Sequence, residues 1–143
     1  MAQPLTYLLD TNVWLERLLD QERADEVRQL LEALPSDRLL ITDFSFHSIG
    51  VILLRLDRTE ALLSFSKDLF ADNSVRLLAL QPGDLERLVA VGRDYRLDFD
   101  DAYQYVAAEL NNLPLVSFDG DFDNTKLGRV TPLEAVDQHE TQK

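Results

Sequence analysis

Three groups of aspartates stand where the chain changes character. Asp10 closes the apolar run Thr6–Leu9. Asp98, Asp100 and Asp101 open the helical stretch DDAYQYVAAEL, and Asp119, Asp121 and Asp123 follow the apolar run Pro114–Phe118. Carboxylates offer oxygen only, a donor set that selects hard ions such as Mg²⁺ or Mn²⁺. Gathered without a cation, they would repel one another and hold their protons to higher pH. Gathered around one, they suit phosphodiester hydrolysis, in which the ion polarises a phosphoryl oxygen, lowers the pKa of water and steadies the leaving oxygen. That chemistry needs no side-chain nucleophile. The chain has two histidines and no cysteine, which excludes zinc–thiolate sites, disulfides and cysteine nucleophiles and permits a reducing cytoplasm.

Each acidic group also has a plain structural explanation. An aspartate between a strand and a helix is a good N-cap. Asp98 and Asp100 complement a helix dipole, and Asp119-Gly120-Asp121 reads as a turn. Their joint placement is harder to explain this way, and it depends on the elements that carry them.

The runs Thr6–Leu9, Arg38–Thr42, Ser74–Leu80 and Pro114–Phe118 read as strands, with a short fifth near Gly128–Thr131. Helical spacing runs through Asn12–Leu19, Glu22–Leu34, Phe44–Leu56, Thr59–Phe70, Asp84–Tyr95 and Asp100–Asn111. Apolar strands alternating with helices predict a three-layer α/β/α sandwich around a mostly parallel sheet of four or five strands. In such a sheet, ligands bind beyond the carboxyl ends of the strands, where strand order reverses. Asp10 and Asp119 are both predicted at such ends. One domain over residues 1–136 and a polar, fraying tail over 137–143 complete the expected organisation.

Composition narrows the function. Hydrophobic residues make up 45% of the 143 and charged residues 28%, which is ordinary for a globular domain. No apolar run approaches the ~20 residues that span a bilayer. The N-terminus lacks a basic region, and Asp10 directly after its apolar stretch speaks against a signal peptide. Twenty-six acidic residues face 14 basic ones, for a net charge of −12. Such a chain does not hold nucleic acid chiefly by neutralising phosphates, unless a bound metal reverses the sign of the local field.

With these residues in place, the sequence resembles the PIN-domain family and, more loosely, its toxin ribonucleases of VapC type. The resemblance rests on LLDTNVWLE, on DDAYQYVAAELNNLPLVSFDGDFD, and on the order of elements between them. It implies a PIN-like fold, dependence on Mg²⁺ or Mn²⁺, RNA cleavage, a homodimer and, for a toxin, an antitoxin protein as partner. Matched residue by residue, Asp10 takes the place of the first metal-site acid. Asp101 takes that of the acid before the D-A helix, and Asp119 and Asp121 those of the acids after the last conserved strand. Asn12 matches the polar residue that supports the first acid, and Ser117 stands where the family has Thr or Ser.

One position departs from the pattern. The family carries a glutamate on the helix after the second strand, in a segment like I-S-x-x-T-x-A-E. Here the segment is Ile41-Thr42-Asp43-Phe44-Ser45-Phe46-His47-Ser48, which puts Ser48 at the glutamate position. His47 beside it has an imidazole that suits proton transfer to a leaving group or contact with phosphate; its plain alternative is a half-buried helix residue that satisfies its nitrogens locally. Trp14 reads as packing, and at most one of Tyr103 and Tyr105 faces the site. Arg93, Arg96, Lys126 and Arg129 are candidates for contacts with an RNA backbone, and ordinary surface cations otherwise.

Two function classes follow: a metal-dependent ribonuclease, or a PIN fold without turnover that serves in binding or assembly. A dehalogenase-type phosphatase would need an acid where Asn12 stands. A receiver domain would need an aspartate after the strand SVRLLAL, and none is there.

Overall fold

A computed structural model of the protein describes residues 4–71 and 74–142. Four strands form one parallel sheet: β1 (Tyr7–Leu9), β2 (Leu39–Thr42), β3 (Arg76–Leu78) and β4 (Leu115–Val116), in the order β3-β2-β1-β4. The α-helices among the described residues are α1 (Thr11–Leu18), α2 (Ala24–Ala33), α3 (Asp43–Arg55), α4 (Thr59–Leu69), α5 (Leu85–Tyr95), α6 (Phe99–Leu110) and α7 (Pro132–Thr141). None is long and apolar enough to cross a membrane.

Side chains on a strand alternate between faces, and here the alternation divides the core. Tyr7, Leu9, Leu39 and Ile41 pack with α1, α2, α3 and α7 on one face. Leu8, Leu40 and Leu115 pack with α5 and α6 on the other. The chain steps outward from β1 to β2 to β3, then returns to pair β4 with the free side of β1. Strand order therefore reverses between β1 and β4, and both strands end in the segments that carry Asp10 and Asp119.

Three expectations change. β3 is shorter than Ser74–Leu80, and as the sheet's edge it leaves Arg76 and Leu77 exposed. An apolar run reports affinity for a core, not position within the sheet. The fifth strand reduces to an isolated parallel bridge between Val130 and Val116. The expected fraying tail is instead the end of α7, which runs through Thr141. Thr131 and Glu134 cap that helix reciprocally with Pro132 in its first turn. Ala135 is buried against the core, and the Tyr7 hydroxyl donates to Gln138 Oε1 at 2.8 Å. Capping and docking outweigh the polar composition.

Trp14 is a core residue, meeting the Phe65 ring edge-on at 5.7 Å. Its buried Nε1 has no hydrogen-bond partner among the described residues.

Candidate metal centre

The site forms where local capping and the topological switch coincide. Asp10 leaves β1 and caps α1, its Oδ1 accepting from Thr11 N at 2.8 Å. Asp98 caps α6 by accepting from Asp101 N at 2.9 Å, which sets Asp101 in the first turn facing the sheet edge. Gly92 helps to bring α6 there: a Cβ at that position would lie 3.1 Å from the Leu97 carbonyl, in the turn between α5 and α6. Beyond β4, Asp119 accepts from Asp121 N at 2.9 Å and starts a 3₁₀ turn over Gly120–Asn124. The plain capping readings are thus realised, and the same geometry gathers the acids.

Asp101, Asp119 and Asp121 each bring a carboxylate oxygen within 4.8 Å of the others. These three could share one hard cation. Burial, followed by the charges of Asp119, Asp98 and Asp10, pushes the Asp101 carboxyl up to about 7. Repulsion of this kind is what a divalent ion relieves, so the donor set fits such an ion.

Asp10 lies beneath this group, 5% exposed, as part of a buried hydrogen-bond network. Its Oδ1 also accepts from Gln104 Nε2 at 3.1 Å, and its Oδ2 accepts from Ser117 Oγ at 2.7 Å. Burial raises its pKa; the bonds from Ser117, Gln104 and Thr11 oppose that, and the charge of Asp119 adds to it. Ser117 Oγ in turn accepts from Asp119 N at 2.9 Å, linking Asp10 to the outer carboxylates through one hydroxyl. Asn12 supports the same corner, its Oδ1 accepting from Phe118 N at 3.3 Å.

Gln104 has no assigned role in the sequence motifs, yet it sits at the centre of this network. It is 2% exposed, and its Nε2 donates to Ser45 Oγ as well as to Asp10, at 2.9 and 3.1 Å. Its Oε1 accepts from Thr42 Oγ1 at 2.7 Å. The one available signal was a polar residue three positions after Asp101, on the helical face that packs against the sheet.

A cavity of about 390 Å³ opens beside this network, lined by Asp10, Asn12, Phe44, His47, Ser48, Asp100, Asp101 and Gln104 among others. Ser48 therefore does face the acidic site, and it brings a hydroxyl where a carboxylate would reach the same space. His47 is exposed and lines the same cavity. Asp43 is spoken for: its Oδ1 accepts from the Tyr103 hydroxyl at 2.7 Å. Tyr105 turns away into the core beside Tyr95, with ring centroids 5.4 Å apart. Among the candidate cations, Arg129 pairs with Asp123 at 3.0 Å and donates to Ser117 O at 3.1 Å, a structural role. Arg96 shares a shallow cleft with Asp121.

Comparison with known proteins bears on the family and the fold. The model of the PIN domain family matches residues 7–127. No curated protein matches by sequence. Among solved structures, a toxin–antitoxin complex from Klebsiella pneumoniae is 24% identical with a TM-score of 0.69, covering 89% of this chain and 98% of that one. The sarcin–ricin-loop-cleaving toxin VapC20 of Mycobacterium tuberculosis is 18% identical with a TM-score of 0.68, covering 82% and 93%. FitAcB from Neisseria gonorrhoeae is 16% identical with a TM-score of 0.67, covering 90% and 99%. At these identities the likeness is one of fold.

Proposed function

The chain belongs to the PIN domain family, and on that premise we propose that it is a divalent-metal-dependent ribonuclease, the toxin of a toxin–antitoxin pair. The observation that carries this reading is the meeting of Asp101, Asp119 and Asp121 within 4.8 Å at the sheet's switch point, above the buried Asp10. Mg²⁺ or Mn²⁺ is the expected guest, with Asp101, Asp119 and Asp121 as direct ligands. Asp10, the fourth acid of the expected set, is tied to Asp119 through Ser117 and adds the negative potential that favours a cation. When bound, the ion supplies Lewis acidity to a phosphate and lowers the pKa of water. His47 is exposed on the wall of the same cavity, which supports a role in giving a proton to the departing ribose oxygen. Phe44 and Val51 give the cavity an apolar side.

The solved toxins that share this fold support the assignment to RNA, and the one captured with an antitoxin supports such a partner here. A homodimer fits the exposed leucines of α3 and α4, of which Leu63 is 59% exposed. A second reading, a PIN fold kept for binding without turnover, has its own observation in Ser48.

Manganese titration by calorimetry and cleavage of a fluorescent single-stranded RNA, with and without chelator, test the proposal together. Metal binding with chelator-sensitive cleavage supports it. Metal binding with no cleavage at millimolar Mn²⁺ leaves the binding module, and no metal binding removes both the centre and the nuclease.

A further inference from the structure

Three aromatic rings, those of Phe44, Phe99 and Tyr103, cluster beside the acidic cavity. Phe44, from the first turn of α3, lines the cavity with Asp10 and Asp101. Its ring centroid lies 5.3 Å from that of Tyr103 and 6.3 Å from that of Phe99, with Phe99 and Tyr103 6.4 Å apart. Tyr103 is fixed from behind: its hydroxyl donates to Asp43 Oδ1 at 2.7 Å and accepts from Leu80 N at 3.0 Å. Phe99 sits between Asp98 and Asp100, yet 54% of its surface is open to solvent. Phe99 is thus packed against Phe44 and Tyr103 on one side, and its other side is open to a further ring.

We propose that these rings form a stacking platform for an unpaired nucleobase of single-stranded RNA, next to the phosphate held at the acidic centre. The inference rests on the ribonuclease reading and names how the substrate is gripped. Two observations select this occupant. The platform is continuous with the cavity through Phe44, so a base on Phe99 would lie next to a phosphate at Asp101. The chain is also short of cations for holding RNA, although Arg96 stays exposed beside Asp121. It carries 14 basic residues against 26 acidic ones, and Arg129 is already engaged by Asp123 and Ser117. Where phosphate neutralisation is weak, stacking is the remaining sequence-tolerant source of affinity, because every base has a π-face. A duplex cannot use such a platform without unpairing, so the site favours loops and single strands.

The test uses the full chain in Mn²⁺, a short fluorescent single-stranded RNA, and the variants Phe99→Ala, Phe99→Leu and Phe99→Tyr. Affinity is read by anisotropy, cleavage on gels and metal binding by calorimetry. Phe99→Ala should weaken RNA binding about ten-fold or more, on the scale of one lost base stack. Phe99→Leu should fail to restore it, since it keeps apolar area and loses the π-face, whereas Phe99→Tyr should recover it. Manganese affinity should be unchanged in all three. If cleavage proceeds and RNA affinity is the same in all four proteins, the platform is overturned while the nuclease stands, and the rings become a docking face for protein. If Leu restores affinity as well as Tyr, stacking is overturned in favour of plain apolar contact. If the parent protein neither binds nor cuts RNA, the ribonuclease reading fails and takes the platform with it.

Discussion

Gln104 donates its Nε2 to Asp10 Oδ1 at 3.1 Å, and both side chains are buried. The bond joins the helix that carries Asp101 to the strand end that carries Asp10, so the two halves of the site are held in register from below. Thr42 and Ser45 complete the arrangement from β2 and α3.

Removing this amide should cost stability and metal affinity together. Gln104→Ala leaves Asp10, Thr42 and Ser45 short of a partner in a buried place, a loss of about 2–4 kcal/mol. Gln104→Glu keeps the shape but sets a second carboxylate against Asp10. Urea unfolding and manganese calorimetry check both variants. An amide that only fills space would leave metal affinity unchanged in whatever folded protein remains.

Asp101 makes stability depend on pH with a definite sign. Its carboxyl titrates near 7 in the fold, against the ordinary value of 3.8. Between those values the folded state binds the extra proton, so this group's contribution falls as pH rises through that window and is level above it. The melting temperature of the metal-free protein should therefore decline from pH 4 to pH 7 more steeply than that of Asp101→Asn. Manganese should bind more tightly as pH rises through about 7, because a ligand must shed its proton. Matching melting profiles for the two proteins would contradict the burial and charge repulsion that raise this carboxyl.

Ser48, which the resemblance sets at the family's glutamate position, lines the cavity with Asp10 and Asp101. Ser48→Glu adds a charge facing Asp10 and Asp101 and should tighten manganese binding about ten-fold while raising any cleavage rate. Weaker binding by that variant would mean that position 48 does not reach the ion.

His47→Ala should leave manganese affinity as it is and lower the cleavage rate about 100-fold, the lower range for general acid catalysis. The comparison is made by single-turnover cleavage at pH 6–8. An unchanged rate and pH profile would return His47 to an ordinary exposed helix residue.

Leu63→Glu should dissociate a dimer built on α4. Leu63 is 59% exposed and shares an apolar groove with Leu54 and Leu77. Light scattering should find about twice the chain mass for the parent protein and the chain mass for the variant. A monomeric parent at high micromolar concentration argues against the assembly.

The sequence by itself determined what is local or periodic. Apolar runs announced the parallel sheet, helical spacing placed α1 to α6, and capping chemistry put Asp10, Asp98 and Asp119 at element ends. The LLDTN opening and the D-A helix marked the family. Tertiary structure decided what depends on distant segments meeting. β3 lies at the edge because no strand follows it outward. Asp137–Thr141 are helical because a capping box and Tyr7 hold them. Asp10 is buried under bonds from Gln104 and Ser117, while Asp101, Asp119 and Asp121 meet because α6 and the segment after β4 come together. The pairing of Phe44 with Phe99 arises in the same way, since α3 and α6 begin side by side. In the linear sequence neither a glutamine between two tyrosines nor a phenylalanine between two aspartates shows what it will face, because burial and contact belong to the assembled layers.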